Sequence, residues 1–84
     1  MSKVTSQDEI LVASKKAIES LYGPQIEDLK LRVVFPFPNE KERDSWDTQV
    51  TFLRNGLQYT VDLMIQENDG TITNARLIDT MTPL

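Results

Sequence analysis

Two alternating runs of apolar and polar residues, one beginning at Trp46 and one ending at Ile65, meet at Asn55-Gly56. An Asn-Gly pair suits the two-residue type I′ hairpin turn, because both central residues of that turn need positive φ. A two-residue loop leaves no freedom of register. Trp46 must oppose Ile65, Thr48 oppose Leu63, Val50 oppose Val61 and Phe52 oppose Tyr59, all on one face. The other face pairs Asp47 with Met64, Gln49 with Asp62, Thr51 with Thr60 and Leu53 with Gln58. Turn chemistry and alternation agree, and a slip by one residue would turn the apolar set outward. The Trp46–Ile65 hairpin therefore has one core face, and the rest of the chain has to cover it.

The cover comes from the N-terminal half. Ser6-Gln7-Asp8-Glu9 fits a capping box, and Gly23-Pro24 is a stop signal, so a helix is expected over about 7–22. At 100° per residue Ile10, Leu11, Ala13, Ala17, Ile18, Leu21 and Tyr22 share one broad face. Ser14 falls within it, while Val12, Lys15, Lys16, Glu19 and Ser20 face solvent. Residues 1–5 read as a lead-in. Leu29, Leu31, Val33 and Phe35 alternate inward along a strand of about 29–35, which Pro36 and Pro38 end. The charged segment Pro36 to Ser45 reads as a solvated loop. Beyond strands of about 46–54 and 57–66, Asn68-Asp69-Gly70 suits a three-residue turn with Gly70 left-handed, leading into a strand of about 71–79. Ala75 then faces Leu63, Leu77 faces Val61 and Thr73 faces Ile65, with Asp62 outside opposite Arg76. A four-residue loop is rejected because it would turn Asn74 and Arg76 into the core. The fold class is α+β: one N-terminal helix packed on a four-stranded antiparallel meander sheet, a single domain over 1–84.

Composition narrows the chemistry. The 84 residues support one modest core, and hydrophobic and charged contents of 39% and 26% are those of a globular chain. There is no Cys and no His, which removes the strongest nucleophile, the most versatile acid–base group and the usual zinc ligands. No phosphate-binding, dinucleotide or nucleophile-elbow motif is present. Asn68-Asp69-Gly70 lacks the remaining ligands of a calcium loop. Asp47 and Asp62 lie on one face of adjacent strands, and ion pairs with Arg76 and with Lys30 or Arg32 account for them better than acid–base catalysis. No enzyme activity, catalytic residue, metal site or cofactor is expected. A net charge of −4 argues against nucleic acid as a partner, even though Lys30, Arg32, Arg54 and Arg76 could share a side. The absence of a long apolar run and of a signal-like start points to the cytoplasm and away from membranes.

What remains is surface. Val34, Leu53, Met64, Ile72 and Ile78 are expected on the outer sheet face, more apolar side chain than a fully solvated face needs. They mark a protein interface, with another protein or with a second copy in a homodimer, and the two edge strands offer a further route by strand addition. Trp46 reads as core rather than as a stacking residue. The alternative is a small-molecule pocket between helix and sheet near Tyr22, Trp46 and Tyr59, for which small Ser14 leaves space.

Tyr59-Thr60-Val61-Asp62-Leu63 followed by Asp69-Gly70-Thr71-Ile72 resembles the aromatic strand and DG turn of PepSY-type domains, where a helix precedes an antiparallel sheet. Trp46, Tyr59, Val61 and Asp69-Gly70 are also similar to the layout of the O-type gas-vesicle accessory proteins. The chain departs from that second family in lacking its basic, aromatic-rich C-terminal end. Either resemblance implies a regulatory or assembly module without catalysis.

Overall fold

The Asn55-Gly56 turn forms as its chemistry requires, with φ of 54° and 77°. It joins β2 (Ser45–Arg54) to β3 (Leu57–Gln66), and every expected pair from Trp46↔Ile65 to Leu53↔Gln58 lies in register. The computed structural model describes residues 3–82. Around the central hairpin it places α1 (Gln7–Tyr22), β1 (Glu27–Phe37) and β4 (Ile72–Met81), with sheet order β1-β2-β3-β4 and all pairings antiparallel.

The helix starts at the expected capping box. Ser6 Oγ accepts from the Glu9 amide at 3.2 Å, and the Glu9 carboxylate accepts from the Ser6 amide at 3.1 Å. Hydrogen bonds from the Thr5 backbone and from the Ser6 and Thr5 side chains hold the Glu9 carboxyl below the usual range. At the other end Gly23, with φ 93°, donates its amide to the Glu19 carbonyl. No basic residue stands in the last helical turn, but Arg54 of β2 donates its Nε to the Tyr22 carbonyl at 3.0 Å. The hairpin thus supplies the cation that a helix C-terminus favours.

Ile10, Ser14 and Ile18 of α1 are buried against Val50, Phe52, Val61, Leu63 and Ile65. Tyr22, Phe52 and Tyr59 close one end as an aromatic trio with ring centroids 5.2–5.5 Å apart. At the opposite end Trp46 packs on the core and donates its Nε1 to the Val4 carbonyl at 2.8 Å. Val4 is buried, and its amide donates to the Glu67 carbonyl. The lead-in is therefore tied down at Val4, because the indole needs an acceptor and the core end needs an apolar plug. Arg43 is likewise pinned, over the Trp46 ring and paired with Glu67, in a loop expected to be solvated throughout.

The outer strands differ from the central pair. β1 bulges twice against β2, once at Asp28-Leu29, where Asp28 has φ 55°, and once at Arg32. The Arg32 bulge inserts one residue and reverses the alternation after it. Val34 therefore opposes Thr48 on the core side, while Val33 and Phe35 oppose Gln49 and Asp47 on the outer side. This corrects the expected placement of Val33 and Phe35 inside and Val34 outside. Pro36 does not end the strand, since β1 is an edge strand and its missing donor can face solvent.

At β4 the loop is one residue longer than expected: Gln66 donates to the Thr71 carbonyl across four residues. A bulge at Thr73 then absorbs the extra residue, so Ala75 still opposes Leu63 and Arg76 still opposes Asp62. The burial objection to a four-residue loop holds only for a strand without bulges. In consequence Ile72, not Thr73, opposes Ile65 and packs toward the core. A second bulge falls at Ile78. The helix packs mainly on β3 and β1 and leaves β4 beyond Ile72 exposed, and Leu21, expected on the packing face, is 57% exposed.

Two tests follow from this packing. Gly70 has φ 77°, and a Cβ there would lie 3.2 Å from Val4 Cγ2. Gly70→Ala should cost about 1–2 kcal/mol, read as a lowered urea midpoint. The Ser14 and Thr48 hydroxyls are buried without a hydrogen-bond partner. Ser14→Ala should leave the helix seated and raise stability by about 1 kcal/mol in thermal or urea unfolding. A loss of stability would show that the hydroxyl is bonded.

Candidate functional site: the open outer face of the sheet

With α1 on one side of the sheet, no element among the described residues covers the other. Its composition follows from the bulges. The Arg32 bulge sends Val33, Phe35 and Phe37 outward along β1, where Phe35 is 58% and Phe37 46% exposed. Met64 stands half-buried across Asp47 from Phe35, while Leu53, also half-buried, lies at the far end of the face opposite Glu27. Of the five residues expected to mark an interface, Leu53 and Met64 are on this face. Val34 and Ile72 are not, having been turned to the core side. Ile78 sits at the β4 bulge, 43% exposed. Strict alternation through Leu29–Phe35 sets Phe35 inward, and a strand stop at Pro36 leaves Phe37 in a loop, so neither is legible on the outer face without the bulge. The adjacent apolar pair Val33-Val34, which no alternating strand accommodates on one face, was the available signal.

Among these apolar side chains sit Asp47 and Asp62, one step apart diagonally on β2 and β3. Phe35 and Met64 flank Asp47 in the register, and Gln49 and Arg76 flank Asp62. Asp47 Oδ1 is buried with no donor from the protein. The Asp62 carboxyl is pushed up to about 6, first by burial, then by a hydrogen bond with Asp47 and by the charge of Asp47, with Arg76 opposing. Arg76 stands opposite Asp62 as expected, yet the two do not close into an ion pair, and Lys30 pairs with Asp28 rather than with Asp47. The geometry brings two carboxylates together in place of two separate ion pairs. Such a pair holds a single proton between its oxygens more readily than either acid alone.

Elsewhere the surface is grooved. A hollow of about 720 Å³ runs between α1 and the β3–β4 turn, walled by Val12, Ala13, Ala17, Gly70 and Ile72. A second, of about 430 Å³, continues to Leu21 and Ala75. Both are open troughs left where the helix does not reach β4. The three residues of the alternative helix–sheet pocket do not enclose one space: Tyr22 and Tyr59 pack in the aromatic trio, and Trp46 lies at the opposite end of the core, bonded to Val4. No group of three or more His, Cys, Asp or Glu side chains fit to hold a metal occurs among the described residues. Nor is any helix among them long and apolar enough to cross a membrane. Comparison with known protein families, curated proteins and solved structures returns no match to this chain.

The acid pair has a measurable consequence for stability. An acid whose folded pKa lies above its unfolded value takes up protons on folding, so stability falls as pH rises from about 4 to about 6. Above about 6 the full penalty applies; below about 4 it is gone. Allowing for screening at a partly exposed face, it amounts to about 1 kcal/mol at neutral pH. Asp62→Asn should therefore be about 1 kcal/mol more stable than the parent near pH 7 and no more stable near pH 4, by urea unfolding at both pH values.

Proposed function

We propose that this chain is a small, non-catalytic protein-interaction or assembly module of the cytoplasm that docks through the outer face of its sheet. The observation that supports this most directly is the pair of half-exposed phenylalanines, Phe35 and Phe37, on a face that no other element covers. Two large aromatic side chains, with Val33 on the same side of β1 and Met64 across Asp47, make an apolar patch of the kind that marks binding surfaces. The edge strands are weaker candidates. Each is interrupted by two bulges, leaving no regular run longer than Val33–Phe37 on β1 and Asn74–Leu77 on β4, and bulged edges resist strand addition. The resemblance of the layout to PepSY-type and O-type gas-vesicle accessory domains implies the same kind of role, regulatory or structural.

The test is a quantitative pull-down from native lysate comparing the parent with Phe35→Ser and with Val12→Ser, the latter changing an exposed apolar residue of α1. Partners should be lost with Phe35→Ser and kept with Val12→Ser. Retention of the same partners by Phe35→Ser overturns the reading.

A further inference from the structure

We infer that Asn55 is a site of spontaneous covalent modification. In the folded chain its side-chain amide closes on the Gly56 nitrogen and is lost as ammonia, leaving aspartate or isoaspartate in the turn of the central hairpin.

The step begins when the Gly56 backbone nitrogen gives its proton to a base in solvent and attacks Asn55 Cγ. A bond forms between that nitrogen and Cγ, the Cγ–Nδ2 bond breaks, and Nδ2 leaves as ammonia with a proton from water. Water then opens the cyclic imide at one of its two carbonyls. Hydrolysis at Cγ gives aspartate. Hydrolysis at the main-chain carbonyl gives isoaspartate, in which the main chain runs through Cβ and is one atom longer. No oxidant, reductant or enzyme takes part. The reaction requires a side chain free to swing, an uncrowded nitrogen behind it, and an N–H that no acceptor holds.

Asn55-Gly56 meets all three requirements. Asn55, Gly56 and Leu57 are exposed, and Gly56 brings no Cβ to shield its nitrogen. In a two-residue turn the ladder closes between Arg54 and Leu57, so the two central amides stay outside it. The Gly56 amide makes no backbone hydrogen bond, and the side-chain bonds next to the turn belong to Arg54 rather than to Asn55. A hollow of about 530 Å³ beside the turn, bordered by Gln25 and Glu27, leaves room for the rotation that ring closure needs.

The other asparagines each fail one requirement. Asn39 Oδ1 accepts from the Lys41 and Glu42 amides at 2.9 Å each. Asn74 stands in β4 opposite Met64, inside the ladder. Asn68 precedes Asp69, whose side chain crowds the nitrogen and whose charge opposes loss of its proton. Asp69-Gly70, which can close the same ring with loss of water, is the nearest rival in sequence. Gly70 even shares the φ of 77° with Gly56. Its amide, however, donates to the Gln66 carbonyl at 2.9 Å, and the Asp69 carboxylate accepts from the Thr71 amide at 2.8 Å. Hydrogen bonds from the Thr71 side chain and amide hold that carboxyl below its usual range, in the ionised form that does not close. The two turns look alike in sequence and differ in what holds them.

The two products affect the fold differently. Aspartate suits the same type I′ turn, so that product keeps the register and adds one negative charge to a chain of net charge −4. Isoaspartate adds an atom to the loop whose length sets the pairing of β2 with β3, next to the Phe52–Tyr59 stack. That product loosens the hairpin.

Ageing the full chain at physiological temperature, in buffers from mildly acidic to mildly alkaline, tests the assignment by intact-mass and peptide-mapping mass spectrometry. Conversion at Asn55 should be about tenfold or more faster than at Asn39, Asn68 or Asn74, a barrier lower by about 1.4 kcal/mol. It should quicken as pH rises, and Asp69 should stay unconverted. Ion exchange should resolve two forms more acidic than the parent. The aspartyl form should share its urea midpoint with recombinant Asn55→Asp, and the isoaspartyl form should unfold at lower urea. Asn55→Gly, which keeps a Gly-Gly type I′ turn, should abolish the conversion and retain the fold by circular dichroism. Conversion no faster at Asn55 than at the other asparagines, or conversion confined to the chain unfolded in urea, overturns the site. Isomerisation of Asp69 as fast as conversion at Asn55 overturns the part given to hydrogen bonding. An isoaspartyl form with the parent's midpoint overturns the effect on the hairpin.

Discussion

The two-residue turn at Asn55-Gly56 sets the geometry from which the other elements take theirs. Its positive φ values match the right-handed twist of the flanking strands, so β2 and β3 pair without a bulge from end to end. That regular ladder stacks Phe52 on Tyr59 next to the turn, and the stacked rings receive Tyr22 from the last turn of α1. It also aims Arg54 at the Tyr22 carbonyl, so the hairpin caps the helix that covers it. At the far end it sets Trp46 opposite Ile65, and the indole ties down Val4 and the entry to α1. Both ends of the helix are thus anchored to one hairpin.

The outer strands obey a different rule. A bulge costs little on an edge strand, because the residue left out of the ladder on one side has no neighbour on the other. β1 and β4 each use two, and the bulges decide which side chains reach which face. On β4 one bulge cancels a longer turn and preserves the core face. On β1 the Arg32 bulge does the reverse, sending Val34 in and Phe35 out. The apolar outer face is therefore a product of strand irregularity. The same irregularity breaks up the free edges and makes them poorer templates for strand addition.

This divides what could be read from the chain from what could not. The helix, its capping box, the hairpin register, Gly70 in the left-handed region and the meander order are legible because each rests on local chemistry: a cap, a turn type or a period. Leu53 and Met64 are placed correctly because they belong to the strands whose register a turn dictates. Val34 and Ile72 are misplaced because their strands lack such a tether, and a single inserted residue reverses every side chain after it. The acid pair is hidden for a related reason. Opposite-charge neighbours in register suggest ion pairs, but side-chain reach decides whether they close, and Asp62 forms none with Arg76 while Asp47 lies diagonally beside it.

That choice bears on what the face can accept. While it is wet, two adjacent carboxylates are tolerable, since water screens them and Arg76 partly compensates. Drying the face changes the balance steeply, because the interaction between the two charges strengthens as water leaves and Asp47 Oδ1 already lacks a donor. Any occupant that seals over Phe35 and Met64 must therefore bring a cation to the pair or arrive with a proton on it. A hydrophobic surface of this shape lined only with leucine would bind any apolar partner. With the acid pair on it, apolar contact that seals in the carboxylates carries an electrostatic cost at neutral pH.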